Sequence, residues 1–264
     1  MSDPRITPDP ALIQFQRAAR IAAPVTDLCR APNGARDRQL VFGDPVTHLA
    51  DASDWAYVQS QKDGYCGYVK ATALAAPAPA DVYVSAPATH AYAAPDIKSP
   101  DTCSLSFLSR VSCTGPAEGP FAQTELGFIP RAHLRPMADP MSDPAAVAAL
   151  FLGTPYLWGG NSRWGIDCSG LVQAALLACG IPCPGDSDMQ MEAFQEINAA
   201  DLRHGDLVFW KGHVGMMQDN ARLIHANAHH MMVATEPLDA AIDRIGKREF
   251  GEVIGYRRPE SVSV

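Results

Sequence analysis

The sequence predicts a multidomain chain: two small all-β barrels followed by an α+β domain. Three observations predict it. Up to Pro136, short strand-like runs alternate with Gly, Pro, Asp and Asn, too closely spaced for helices of ordinary length. A stiff Pro/Ala stretch, Ala75-Ala76-Pro77-Ala78-Pro79-Ala80, divides those runs into two groups. Beyond Pro140, helical runs come first and strand-like runs follow, the order of an α+β domain with an antiparallel sheet.

In order, residues 1–17 read as a Pro-rich N-terminal extension with a short helix over Ala11 to Ala19. Residues 18–76 form the first barrel, with strands at Val41-Phe42, Val46 to Leu49, Trp55 to Val58 and Gly67 to Val69. Residues 77–137 form the second. Its ending, Leu126-Gly127-Phe128-Ile129-Pro130 with Leu134, echoes Gly67-Tyr68-Val69 with Leu74. Residues 138–264 form the α+β domain. Asp143 is the N-cap of a helix with Pro144 at its first position, and Gly153 ends that helix. A buried helix follows over Leu171 to Ala178, stopped by Gly180 and Pro182. Strands come at Asp206 to Trp210, Val214 to Gln218, Leu223 to His225 and Val253 to Tyr256, with Lys211-Gly212 and Asp219-Asn220 as tight turns.

A length of 264 residues suits two or three domains, and 47% hydrophobic content can bury a core. The net charge of −8 argues against nucleic acid partners and against docking on anionic membranes or wall polymers. Met1 to Pro10 lacks a basic start with an apolar core, so no signal peptide is expected. No apolar run approaches the roughly 20 residues of a membrane helix. The seven cysteines form no paired framework, which points to reduced thiols in a cytoplasm, with Cys103–Cys113 the one conceivable disulfide.

The chemistry centres on Gly159-Gly160-Asn161-Ser162-Arg163-Trp164-Gly165-Ile166-Asp167-Cys168-Ser169-Gly170. This glycine-rich loop delivers Cys168 to the first turn of the buried helix. There the helix dipole and backbone N–H groups favour a thiolate, and they can hold an oxyanion once it has attacked. The alternative for Cys168 is a buried structural thiol, the usual fate of a lone cysteine. A thiol nucleophile needs an imidazole to share its proton and a group to fix that imidazole's tautomer. His213 opens the second strand run and His225 closes the third, so a meander would bring both to one sheet, with His213 as base and His225 as its orienter. The run His225-Ala226-Asn227-Ala228-His229-His230 matches no standard zinc spacing, and Gly159-Gly160 lacks the lysine of a phosphate loop. No metal and no cofactor are expected.

Tyr156-Leu157-Trp158-Gly159-Gly160, Asp167-Cys168-Ser169-Gly170, Gly205-Asp206-Leu207-Val208-Phe209, Gly212-His213-Val214-Gly215 and Ile224-His225-Ala226 together resemble the NlpC-type peptidases of bacterial cell-wall peptides. Asp54-Trp55-Ala56-Tyr57-Val58, the turn Lys62-Asp63-Gly64-Tyr65 and Gly67-Tyr68-Val69 resemble the bacterial SH3-like repeat. The resemblance implies a papain-like catalytic domain behind two SH3-like barrels. It implies Cys168 as nucleophile, His213 as base and His225 as third member. It points to the subgroup that cleaves the γ-D-glutamyl–diamino acid bond (diaminopimelate or lysine) of murein peptides with a free N-terminal L-alanine. In that subgroup the first barrel closes one end of the groove.

Further residues are candidates for substrate contact, the first three through the same resemblance. Tyr65 matches a tyrosine that reaches the groove from the barrel. Asp186 and Ser187 match a loop that pairs with the substrate ammonium and bonds the D-glutamyl group, although Gly185 stands where the family often has arginine. Asp37 is a candidate second acid for the ammonium. Asp167 supports the loop or contacts substrate, Ser169 bonds the substrate backbone or caps the helix, and Trp158, with Trp164, either lines the groove or packs in the core. The expected partner is a small peptide, with no nucleic acid and no membrane; the sequence sets no oligomeric state. The rival readings are a secreted hydrolase of intact peptidoglycan stems and a non-catalytic SH3-like module that binds wall peptides.

Overall fold

The computed structural model describes residues 3–116 and 118–259. The chain divides into two compact units, Met1–Pro140 and Met141–Val264.

Among the described residues, the first unit has strands and two 3-10 turns. Strands β1 (Arg17–Ile21), β2 (Val25–Cys29), β3 (Arg36–Val41), β4 (Pro45–Ala52), β5 (Trp55–Ser60), β6 (Cys66–Lys70) and β7 (Leu74–Ala75) form one sheet in the order β3-β2-β6-β5-β4-β1-β7. The helix expected over Ala11 to Ala19 does not form. Arg17 to Arg20 instead pair antiparallel with β4, from Arg17 opposite His48 to Arg20 opposite Pro45. Ala19 and Ile21 turn inward on alternate positions, so sheet pairing and burial override the helix propensity of the alanines.

A second β-segment follows: β8 (Val82–Val84), β9 (Ala88–Tyr92), β10 (Asp101–Ser106), β11 (Arg110–Val111), β12 (Phe121–Thr124), β13 (Gly127–Pro130) and β14 (Leu134–Pro136). They make two small sheets, β10-β9-β13-β12 and β11-β8-β14. Phe42, which follows β3, is buried in this second segment against Val84, Ala91, Leu105, Val111 and Ile129. Gly43 permits that insertion: its φ is +80°, and a Cβ there would lie 2.2 Å from the Arg110 carbonyl oxygen. Arg20 pairs with Glu125 at 2.6 Å across the same junction.

The second unit opens with α1 (Pro144–Ala149). The Asp143 side chain accepts from the N–H groups of Ala145 and Ala146 at 3.0 and 3.1 Å, the cap the sequence announces. A short hairpin, β15 (Asn161–Ser162) and β16 (Gly165–Ile166), leads into α2 (Cys168–Ala178), then α3 (Ser187–Ala193). Nearly every residue of α2 is buried, as its mostly apolar sequence requires. The sheet comprises β17 (Gln195–Glu196), β18 (Leu207–Trp210), β19 (His213–Met217), β20 (Arg222–Asn227), β21 (Met232–Pro237) and β22 (Gly255–Arg258), in the order β17-β22-β18-β19-β20-β21, antiparallel throughout. Helix α4 (Leu238–Arg248) runs directly from β21. Its Ala241 and Ile245 pack on Val208, Trp210, Met217 and Leu223. The sequence reading lacks β21 and α4.

Candidate active site

Asp167 is the N-cap of α2. Its Oδ1 accepts from the Gly170 N–H at 2.6 Å and the Ser169 hydroxyl at 3.0 Å, while Oδ2 accepts from the Gly159 N–H at 2.9 Å. One carboxylate therefore fixes both the helix start and the glycine loop entering it. Gly170 lets those backbones meet: a Cβ there would come 2.5 Å from the Gly160 carbonyl oxygen. Cys168 is the first residue of α2 and is buried. The helix packs against β19 and β20, the strands that carry the two histidines.

The register pairs Met217 with Leu223, so the odd-numbered positions of both strands share a face. His213 and His225 lie on it, 2.8 Å apart from Nε2 to Nδ1. His225 Nε2 in turn lies 2.8 Å from Glu236 Oε1 on β21. Arg244, on α4, donates to the same oxygen and pairs also with Glu249. The His213 ring stacks on Phe250, with centroids 5.3 Å apart and planes 8° from parallel. Both imidazoles are buried.

This chain of bonds fixes the tautomers. Burial pushes the Glu236 carboxyl up, but hydrogen bonds from His225 and Arg244 outweigh it and hold it at about 2. The carboxylate is therefore ionised at neutral pH and can only accept. With one proton on each ring, His225 donates to it from Nε2 and carries its lone pair on Nδ1. His213 then donates from Nε2 and keeps its own lone pair on Nδ1. Burial pushes His213 well below the ordinary imidazole range. It is a neutral ring with one basic nitrogen fixed in place.

Sequence reasoning did not find Glu236, Arg244, Tyr156 or Gln190 as site residues. Burial, with the charges of Cys168 and Asp167, pushes the half-buried Tyr156 phenol up, so its ring stands in the electrostatic reach of the nucleophile. Gln190 donates to the carbonyls of Ser169 at 3.0 Å and Pro184 at 2.9 Å, which ties the loop before α3 to the first turn of α2. Asp186, the N-cap of α3, and Ser187, its first residue, are half-buried and follow that tied loop directly. Trp158 is 69% exposed and Trp164 49%, both in the stretch leading to Cys168. Tyr65 and Asp37 belong to the first unit. Tyr65 is buried there and its N–H donates to Asp63; Asp37 pairs with Arg30 at 2.6 Å. All seven cysteines are separate thiols, Cys103 and Cys113 included. Among the described residues, His225, His230 and Glu236 are the group that could hold a metal ion, their ligand atoms all within 4.8 Å of one another.

A thiol at the head of a buried helix, beside strands bearing a tautomer-fixed imidazole pair, has the parts of a cysteine hydrolase. Comparison with known proteins agrees. Residues 153–243 match the NlpC/P60 family and residues 28–74 the bacterial dipeptidyl-peptidase Sh3 domain. The chain is 32% identical over 213 residues to a γ-D-glutamyl-L-lysine dipeptidyl-peptidase of Bacillus subtilis, covering 71% of each chain. It is 35% identical over 98 residues to the protein of that name from Bacillus cereus, covering 34% of this chain and 29% of that one. The crystal structure of an NlpC/P60 family protein from Bacillus cereus shares the fold, with a TM-score of 0.78 at 21% identity over 92% of this chain and 99% of that one. The chain belongs to the NlpC/P60 family of cysteine peptidases.

Proposed function

We propose that this protein hydrolyses the γ-D-glutamyl–diamino acid bond of murein peptides with a free N-terminal L-alanine, the diamino acid being diaminopimelate or lysine, in cytoplasmic recycling of cell-wall peptides. One observation carries the reading. The match to the Bacillus subtilis γ-D-glutamyl-L-lysine dipeptidyl-peptidase covers 71% of this chain, more than the catalytic unit contains, so it extends into the strand-rich unit as well.

The chemistry follows from the tautomer chain. The Cys168 thiol gives its proton to His213 Nδ1, and the sulfur attacks the γ-carbonyl carbon of D-glutamate. The oxyanion is held by N–H groups at the head of α2, including that of Cys168. Collapse breaks the C–N bond as His213 returns the proton to the leaving amine. Water then attacks the thioester carbon, giving a proton to His213, and the C–S bond breaks as His213 passes that proton to the departing Cys168 sulfur. The products are L-Ala-γ-D-Glu and a peptide or amino acid starting with the diamino acid. His225 and Glu236 remain positioning residues throughout; they touch neither substrate nor sulfur.

Asp186 takes the substrate ammonium and Ser187 the D-glutamyl group. Trp158 and Ser169 line the groove. A peptide whose amine is acylated loses the ion pair and leaves a carboxylate uncompensated. The second β-segment is read as a diverged second SH3-like barrel. Its support is a repeated ending: β6, a 3-10 turn over Ala71–Ala73 and β7, against β13, a 3-10 turn over Arg131–His133 and β14.

Mass spectrometry of products from L-Ala-γ-D-Glu-diaminopimelate beside its N-acetylated twin tests the reading. The free peptide is cut after D-glutamate, and the acetylated one at least ~10-fold more slowly, the cost of one charge-assisted hydrogen bond. Equal rates refute the ammonium gate, and no cleavage of either peptide refutes the assigned bond.

A further inference from the structure

We propose that His225, His230 and Glu236 form a binding site for a divalent transition-metal ion such as Zn²⁺, and that the bound ion switches the peptidase off by reversing the tautomers of the His213–His225 pair. The inhibitory half rests on the peptidase reading above; the binding half does not.

The three residues supply two imidazoles and a carboxylate, a donor set that suits zinc and leaves a fourth position to water. One ligand atom from each lies within 4.8 Å of the others. Zinc bonds of about 2.0–2.2 Å put tetrahedral donors about 3.3 Å apart, so small side-chain rotations close the set. The surroundings of His230 resemble those of a metal ligand. Asn227 Oδ1 accepts the His230 backbone N–H at 2.8 Å and therefore presents an oxygen to the ring, 3.0 Å from Nδ1. His230 thus carries its proton on Nδ1 and its lone pair on Nε2, the orientation that a hydrogen bond to the far nitrogen gives to ligating histidines. Asn227 is itself 1% exposed, so the anchor is fixed.

Glu236 also has capacity to spare. Its bonds from His225 and Arg244 both end on Oε1, leaving Oε2 to a cation. Arg244 opposes a metal, but it is shared with Glu249, so two carboxylates face one guanidinium and the local charge stays negative. His225 is fully buried, whereas His230 and Glu236 are half-buried, which gives the ion an entry from the turn between β20 and β21.

The consequence for catalysis is a matter of proton positions. A metal takes the lone pair of His225 Nε2, so that nitrogen gives up its proton. His225 then holds its single proton on Nδ1 and donates to His213 Nε2. His213, also with one proton, must carry it on Nδ1, the nitrogen that otherwise receives the Cys168 proton. Each ring keeps one proton and the base is lost. The sequence expectation of no metal rested on residues 225–230 alone; the third donor comes from the neighbouring strand.

Isothermal titration of ZnCl₂ into the full-length Cys168→Ser protein, which lacks the thiol at the head of α2, reads the site without reference to activity. One ion per chain is expected, and a further His230→Ala change weakens binding at least about 10-fold, the scale on which lost site contacts act. In the active protein His230→Ala leaves kcat without zinc unchanged and raises the inhibitory zinc concentration by the same factor. Zinc binding and inhibition that ignore His230→Ala place the ion elsewhere and overturn the site. Stoichiometric binding with unchanged kcat overturns the switch. A wild-type protein inactive on murein peptides refutes the peptidase reading instead, and the titration still decides the site.

Discussion

Replacing Glu236 by alanine tests whether a carboxylate two hydrogen bonds from the base governs the rate. The substitution leaves the buried His225 Nε2–H without its acceptor and Arg244 with Glu249 alone. A hydrogen bond to a charged group contributes about 1.5–3 kcal/mol. Here that energy biases His225, and through it His213, toward the tautomer with a lone pair on His213 Nδ1. At 1.36 kcal/mol per decade, its loss lowers kcat about 10- to 150-fold. KM stays unchanged, because Glu236 does not contact the peptide in this mechanism. Glu236→Gln separates tautomer from charge: its amide oxygen can still accept from both His225 and Arg244, so it recovers most of the rate. The assay is steady-state hydrolysis of L-Ala-γ-D-Glu-diaminopimelate, with thermal melting to establish that each variant is folded. A folded Glu236→Ala protein with kcat within twofold of wild type refutes the reasoning. So does a glutamine variant no better than alanine, since the effect would then be one of charge and not of proton position.

Three further outcomes are expected. Cys168→Ala reduces hydrolysis to background without loss of folding; residual turnover near wild type would remove Cys168 from the reaction. Gly170→Ala drives a methyl group into the Gly160 carbonyl oxygen and costs about 1–3 kcal/mol, measured as a lower melting temperature of the catalytic unit; an unchanged melt would show that the loop can give way. The third is a pH effect at His204, which bridges the Gln218 carbonyl and Asp143. The hydrogen bond to Gln218, then that to Asp143, raises the His204 pKa; at Asp143, burial is outweighed by bonds from Ala146, His204 and Ala145, and its pKa falls. The His204 contribution is full below the unfolded value near ~6.5 and fades as pH rises through the raised folded value. That of Asp143 is present above ~3.9 and fades as pH falls through its lowered folded value. The melting-temperature gap between wild type and His204→Ala is therefore widest near pH ~5 and narrows toward pH ~8. A gap that is flat across that range contradicts the assignment.

The parts of this protein legible in its sequence are those encoded by contiguous residues. The Asp143-Pro144 cap, the Lys211-Gly212 turn joining Trp210 to His213, and the loop-to-helix passage at Asp167-Cys168 each carry their own local chemistry. The two histidines were legible as a pair because each lies on a strand with a clear apolar pattern. Their support was not. Glu236 sits on a strand whose Thr235 and Glu236 disguise the pattern, and its role comes from a diagonal neighbour on β20 and a helix packed above. The spacing of Leu238, Ala241, Ile242 and Ile245 is the signal that could have revealed α4, and with it Arg244. At the N-terminus the alanines around Ala18 favour a helix, and only the partner strand Pro45–Ala52, far along the chain, decides otherwise.

Phe42 has a bearing on how this protein could be rearranged by recombination. Its ring completes a core whose remaining walls, Val84, Leu105 and Ile129, are encoded on the far side of the Pro/Ala stretch. A crossover or graft made at that stretch would strand an aromatic ring on one fragment and hollow out the other. The two strand-rich segments therefore have to be moved as a single block, and a chimera between relatives has its junction at Pro140, not at residue 76.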